Sequence, residues 1–120
     1  MAKILIVEDD EPVRTLAARA LERDGHAVET AEDGEEGLSL IRSAGGGYDL
    51  VVSDIRMPAM DGIAMAKAAN SDFPDLRIML VTGYAEQRER AADLDGVIVD
   101  VVQKPFTLAQ IRDKVREHLA

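Results

Sequence analysis

Four short runs rich in β-branched and aliphatic residues, over 4–7, 49–53, 77–82 and 97–103, constrain the fold of this chain more than any other feature. Three of them are nearly continuous apolar segments without alternation of inward and outward residues, the pattern of strands covered on both faces. A weaker run lies at 27–30. Helical periods fill the intervals. After Asp10, Pro12 suits a first helical turn, Val13, Leu16, Ala17, Ala20 and Leu21 recur on one helix face, and Gly25 supplies the stop. A second helix starts at Asp33 as N-cap, turns Leu38 and Ile41 inward and ends in Gly45, Gly46 and Gly47. A third runs from Asp61 or Gly62 to about Asn70, and a polar fourth is expected over 85–93. The last carries Leu108, Ile111, Val115 and Leu119 on one side, with Thr107 as its cap.

Strand and helix therefore alternate along the whole chain, which predicts right-handed crossovers and a parallel sheet between two helix layers. No repeat, linker or low-complexity tract beyond the three glycines marks a boundary, so a single domain over 1–120 is expected. Aromatic residues make up only 3%, so the core is aliphatic. The absence of cysteine excludes disulfides, thiolate zinc sites and thiol nucleophiles. With 14 Lys and Arg against 23 Asp and Glu, the net charge of −9 speaks against nonspecific binding to nucleic acid or anionic membrane. No apolar run approaches a signal-peptide core or a membrane span, and a cytoplasmic protein is expected.

In a parallel sheet of this kind, ligands bind beyond the carboxyl ends of the strands. At those ends stand Glu8, Asp9 and Asp10, then Asp54, Thr82, and Lys104 with Pro105. Carboxylates gathered within a few Å repel and are driven to protonate unless a cation joins them. Oxygen ligands without histidine or cysteine suit Mg²⁺, or Mn²⁺, rather than zinc. His26 and His118 read as surface residues without a catalytic or ligand role. A metal, an ammonium and a hydroxyl around a carboxylate equip a site for phosphoryl transfer to oxygen. Asp54, ending the central hydrophobic strand, is the nucleophile in this reading. Asp9 and Asp10 serve the metal, and a backbone carbonyl near Arg56 is a further ligand. Alone, Asp9 and Asp10 would read as a helix N-cap and its dipole-favoured neighbour, and Glu8 as the outward member of the acidic turn. Asp54 and Lys104 tip the balance towards the metal.

Taken together, Val7-Glu8-Asp9-Asp10, the Ser53-Asp54-Ile55-Arg56-Met57-Pro58-Ala59-Met60-Asp61-Gly62 segment, Val81-Thr82-Gly83 and Lys104-Pro105-Phe106 resemble the receiver domain of bacterial two-component response regulators, in order and over the whole chain. The resemblance implies a flavodoxin-like (βα)₅ fold, a three-layer α/β sandwich with strand order 2-1-3-4-5. It implies that Asp54 accepts a phosphoryl group from a histidine kinase or histidine phosphotransfer protein, that Asp9 and Asp10 bind Mg²⁺, and that Thr82 and Lys104 contact the acyl phosphate. In the family the Lys-Pro bond is often cis. Such a domain is not an enzyme on other substrates, although it catalyses its own phosphorylation and a slow dephosphorylation. Two rivals fit less well. A flavodoxin needs a phosphate loop rich in hydroxyls and glycine where this chain has Glu8, Asp9 and Asp10, and a haloacid-dehalogenase-type phosphatase needs an aspartate where Arg56 stands.

The chain departs from the receiver pattern at Val101, where an aromatic residue three positions before the lysine normally couples phosphorylation to the outer face. Tyr84 is the nearest ring that could substitute, and Val101, Tyr84, Pro105 and Phe106 form the expected switch and interface set. Arg56 and Tyr84 flank the path of the hydrolytic water. The sequence ends directly after its last helix, so the expectation is a stand-alone receiver without an output domain that acts on a downstream protein. It is similar to stand-alone receivers that serve as adaptors priming a regulatory protease. A phosphorelay carrier or a receiver from a hybrid kinase would carry the same residues. A monomer, or a weak or phosphorylation-dependent dimer, is expected.

Overall fold

The computed structural model describes residues 2–83, 90, 94 and 96–119. Nine elements run through them: β1 (Lys3–Val7), α1 (Glu11–Arg23), β2 (Ala27–Ala31), α2 (Gly34–Ser43), β3 (Leu50–Asp54), α3 (Gly62–Asp72), β4 (Ile78–Thr82), β5 (Asp100–Gln103) and the C-terminal helix α4 (Leu108–Leu119). The five strands pair in parallel in the order β2-β1-β3-β4-β5, as expected. The helix expected over 85–93 lies, apart from Arg90, outside the described residues. No helix among the described residues is long and apolar enough to cross a membrane.

Strand alternation divides the core into two halves. Leu5, Val7, Val51, Ile78 and Leu80 face Leu38, Ile41, Ile63 and Met65 of α2 and α3. Ile4, Ile6, Leu50, Val52, Met79 and Val81 face Leu21 of α1 and Ile111 and Val115 of α4. Each aliphatic side chain removed from water in this way contributes about 1.5–3 kcal/mol, which is why the central strands read as unbroken apolar runs.

The helix starts follow side-chain chemistry written locally. Asp10, Asp33 and Asp61 each accept the backbone N–H three residues on, from Val13, Glu36 and Ala64. Thr107 and Gln110 bond reciprocally, N–H to side chain in both directions, as a capping box for α4. The largest departure from expectation is β5, which begins at Asp100 and not at 97. The N–H groups of Val97 and Ile98 both bond the Leu94 carbonyl in a turn, and the chain joins β4 only when the Val99 N–H reaches the Ile78 carbonyl. Apolar character alone did not separate turn from strand there.

The two histidines are structural and sit at the amino ends of the strands. His26 Nδ1 accepts the Ala2 N–H. His118 is less exposed than expected for a surface residue, with a side chain 16% exposed and Nε2 2.9 Å from Asp100 Oδ2.

Candidate functional site

At the carboxyl end of the sheet, β1, β3 and β5 each deliver one ionisable side chain to the same side. Glu8 continues the Ile4 and Ile6 side of β1, Asp54 the Leu50 and Val52 side of β3, and Lys104 the Val102 side of β5, all towards α1 and α4. The Lys104 ammonium bridges the two acids, 2.8 Å from Glu8 Oε1 and 3.2 Å from Asp54 Oδ2. The other Asp54 oxygen, Oδ1, accepts the Ile55 N–H at 2.8 Å, which fixes the carboxylate plane. The Ser53 hydroxyl donates to the Asp54 carbonyl, and the Gly62 N–H to the Ile55 carbonyl. A Cβ at Gly62 would come within 2.1 Å of the Asp54 carbonyl, so only glycine lets α3 start against the end of β3.

Glu8 is the residue that sequence reasoning misplaced. It was expected to point outward; it is 5% exposed, and its Oε2 is buried without a hydrogen-bond partner. The available signal was the alternation of β1 carried one residue past its end, which sends Glu8 to the Ile4 and Ile6 side. Among the described residues, the group of acids with ligand oxygens within 4.8 Å of one another is Glu8, Asp9 and Asp54. Asp10, expected beside Asp9 as a metal ligand, caps α1 through Oδ1. Pro12, two positions on, was the sequence signal for that cap.

Electrostatics follow the geometry. Burial pushes the Glu8 carboxyl above its usual range, with the nearby Asp54 adding to the effect and Lys104 only partly opposing it. Asp9 is raised by desolvation and then by Glu8. Half-burial opposes the charge on Lys104, but its hydrogen bond to Glu8 and the charges of Asp54 and Glu8 outweigh that, and its pKa rises. The site thus holds more negative charge than its lysine balances.

Of the remaining expected residues, Asp9, Asp10, Arg56 and Gly83 line one open cleft of about 580 Å³ together with Glu8, Asp54 and Lys104. Thr82 is buried at the end of β4, and its carbonyl accepts the Lys104 N–H at 2.8 Å, so threonine and lysine are tied through the backbone. The Lys104–Pro105 peptide is cis. Val101 packs against the α2 and α3 half of the core, and Phe106 against the α1 and α4 half. Tyr84 lies outside the described residues.

A parallel five-stranded sheet whose carboxyl edge sets three acids against one lysine is the arrangement of a phosphoacceptor module. The chain belongs to the response regulator receiver domain family, matching it over residues 4–116. It is 38% identical over 121 residues to the sensor kinase CckA of Brucella abortus (strain 2308), covering 98% of this chain and 12% of that protein. It is 39% identical over 114 residues to the response regulator MprA of Mycolicibacterium vanbaalenii, covering 95% of this chain and 48% of that one. The chain therefore spans less than half the length of these curated relatives. Among solved structures, the response regulator TrrA of Thermotoga maritima, in complex with Mg²⁺ and BeF, superposes with a TM-score of 0.88 at 34% identity, covering 99% of this chain and all of that one. Receiver domains are signalling domains of two-component systems that interact with histidine kinases and downstream effectors, and they bind Mg²⁺ at an acidic pocket. Glu8, Asp9 and Asp54 form the acidic cluster in this chain.

Proposed function

We propose that this chain takes a phosphoryl group on Asp54 from a phosphohistidine in an Mg²⁺-dependent reaction and acts as a phospho-switched, protein-binding regulator. One observation carries the reading: the Lys104 ammonium is held between Glu8 and Asp54 while a third acid, Asp9, completes a cluster of oxygen donors. The donor set fits a hard divalent cation. All its atoms are carboxylate oxygens, and the orphaned, buried Glu8 Oε2 is a group that a cation would satisfy. Glu8, Asp9 and Asp54 would hold Mg²⁺, with the Arg56 carbonyl as a further ligand, and Asp10 supports the site as the α1 cap. When bound, Mg²⁺ neutralises the carboxylates and spreads the charge of the phosphoryl oxygens.

In the transfer, an Asp54 carboxylate oxygen attacks phosphorus, an O–P bond forms, and the P–N bond breaks with its electron pair leaving on the histidine nitrogen. Lys104 and the Thr82 hydroxyl hold the oxygens of the new acyl phosphate. The added negative charge draws Lys104 from Glu8, and because Lys104 and Thr82 are tied through the backbone, the shift passes to Val101, Pro105 and Phe106. A downstream protein reads that face; a regulatory protease or its machinery is the partner this reading favours. The test is incubation with Mg²⁺ and a small phosphodonor, followed by intact mass. Wild type gains one phosphoryl group and Asp54→Asn gains none; no gain in wild type overturns the reading.

A second reading, a phosphoryl carrier in a phosphorelay, is favoured by the 38% identity to a sensor kinase over nearly the whole chain. Rapid return of the phosphoryl group from Asp54 to a histidine phosphotransfer protein supports the carrier; stable retention supports the regulator.

A further inference from the structure

Arg14 is an arginine of α1 whose side chain turns back over the acidic turn, and nothing in the reading above uses it. The side chain is only 14% exposed. Its Nη1 donates to the Glu8 backbone carbonyl at 2.8 Å, and its Nη2 lies 3.9 Å from Glu32 Oε1 in the connection between β2 and α2. The carbonyl it holds belongs to the peptide that joins Glu8 to Asp9, two of the three acids in the cluster. Glu8 is thus held at both of its backbone groups: its N–H, in the preceding peptide, bonds the Ala31 carbonyl at 3.0 Å, and its carbonyl, in the peptide to Asp9, takes the guanidinium. Just beyond it, Asp10 caps the helix that carries Arg14, so the guanidinium closes a short loop from the strand end to the first turns of α1.

We infer that Arg14 is a positioning residue of the phosphoacceptor site, holding the Glu8–Asp9 peptide so that the two carboxylates keep the spacing a divalent cation requires. The inference rests on the Mg²⁺ reading of the cluster given above. It opposes what charge alone dictates. A guanidinium beside three acids repels an incoming cation, so its removal tightens cation binding if Coulomb effects dominate. If Arg14 acts by orientation, its removal loosens binding, because a group that orients metal ligands typically sets affinity by about tenfold or more. The sign of the change therefore separates the two roles.

The experiment is titration of the intact chain with Mn²⁺, following the free ion by electron paramagnetic resonance, with folding checked by circular dichroism at the same temperature. Arg14→Gln raises the Mn²⁺ Kd by about tenfold if the inference holds; an unchanged or lowered Kd overturns it. Arg14→Lys keeps the charge and one donor, and a Kd between wild type and Arg14→Gln supports orientation through the carbonyl, whereas a Kd no better than that of Arg14→Gln overturns it. Glu32→Gln removes only the long, exposed ion pair and changes the Kd by less than about twofold; a loss equal to that of Arg14→Gln would place the effect at Glu32 and overturn the inference. If wild type itself fails to bind Mn²⁺ saturably, the Mg²⁺ reading falls first, and the Arg14 inference with it.

Discussion

Glu8 and Asp24 are both carboxylates whose side chains are nearly shut off from water, 7% and 8% exposed, and they are treated in opposite ways. Asp24 caps the far end of α1 and receives Nε and Nη2 of Arg112, with Arg116 Nη2 at 3.4 Å. The hydrogen bond from Arg112 holds its carboxyl below the usual range. Glu8, at the other end of the same helix, shares a single lysine with Asp54, leaves one oxygen without a partner, and has its carboxyl raised by burial. One end of α1 is thus clamped to α4 by satisfied charges, and the other borders charges kept in excess. A buried acid left short of donors is a cost to the fold, and its location beside Asp54 is where the proposed cation would supply what is missing.

The strongest way to test that contrast is to remove the ammonium that bridges Glu8 and Asp54. Lys104→Gln leaves Glu8 and Asp54 facing each other without a counter-charge, and the free energy of unfolding measured in urea without divalent cation falls by about 2 kcal/mol. Saturating Mg²⁺ recovers part of the loss, because it binds the folded state alone. An unchanged urea midpoint would show that Lys104 compensates nothing in the resting protein. The next largest effect has the opposite sign. Glu8→Gln keeps an acceptor for Lys104 and removes a buried charge, so the metal-free protein gains about 1 kcal/mol while Mg²⁺ affinity drops. A variant both less stable and normal in Mg²⁺ binding would remove Glu8 from the site.

Most of the fold was legible, and the reasons are particular. The runs at 4–7 and 77–82 lie within a residue of β1 and β4 because both faces of those strands are covered, so composition alone marks them. Asp33, Asp61 and Thr107 signalled helix starts because a cap is a contact three residues long. Asp54, Lys104 and Asp9 were legible from their place at strand ends. Glu8 was not, because its role depends on which way the strand's alternation points it and on a lysine 96 residues away. The Asp24–Arg112 clamp, 88 residues apart, was invisible for the same reason: two helix surfaces meet there, and neither carries a local pattern that names the other.

Titration separates the two acids by sign. Asp24, whose folded-state pKa is depressed, contributes stability that is present above the ordinary carboxylate value of about 4 and is lost as pH falls through the depressed value. Asp24→Asn is therefore less stable than wild type at pH 7, and the gap closes only in strong acid. Glu8, whose folded-state pKa is raised, costs stability above that raised value, and the cost disappears as pH falls to the ordinary one. The gain from Glu8→Gln is present at pH 7 and vanishes on acidification before the Asp24→Asn gap begins to close. Parallel urea midpoints from pH 7 downwards, without divalent cation, check the order; the reverse order would mean that the two carboxylates had been assigned each other's roles.

The smallest effect concerns the backbone. Ala59, in the loop between β3 and α3, has φ of 65°, a left-handed conformation that costs a residue with a Cβ about 1–2 kcal/mol. The surroundings hold it there. The Gly34 N–H bonds the neighbouring Met60 carbonyl at 3.1 Å, and a Cβ on Gly34 would meet that carbonyl oxygen at 2.2 Å, so α2 presses directly on the loop. Just past the loop, the Gly62 N–H is bonded to the Ile55 carbonyl at 2.7 Å. With both flanks fixed, the strain cannot relax by moving the loop. Ala59→Gly removes it but frees the unfolded chain, at a cost of about 0.4–1 kcal/mol, so the net gain is about 0.5 kcal/mol. Ala59→Val, with a branched Cβ in the same conformation, loses more than that. A urea midpoint that rises for glycine and falls for valine, with Mn²⁺ affinity unchanged in both, would separate the strain of the loop from the charge excess of the site. If Ala59→Gly instead altered Mn²⁺ affinity, the left-handed turn would belong with Glu8 among the features that the fold maintains, against its own stability, to shape the cluster around Asp54.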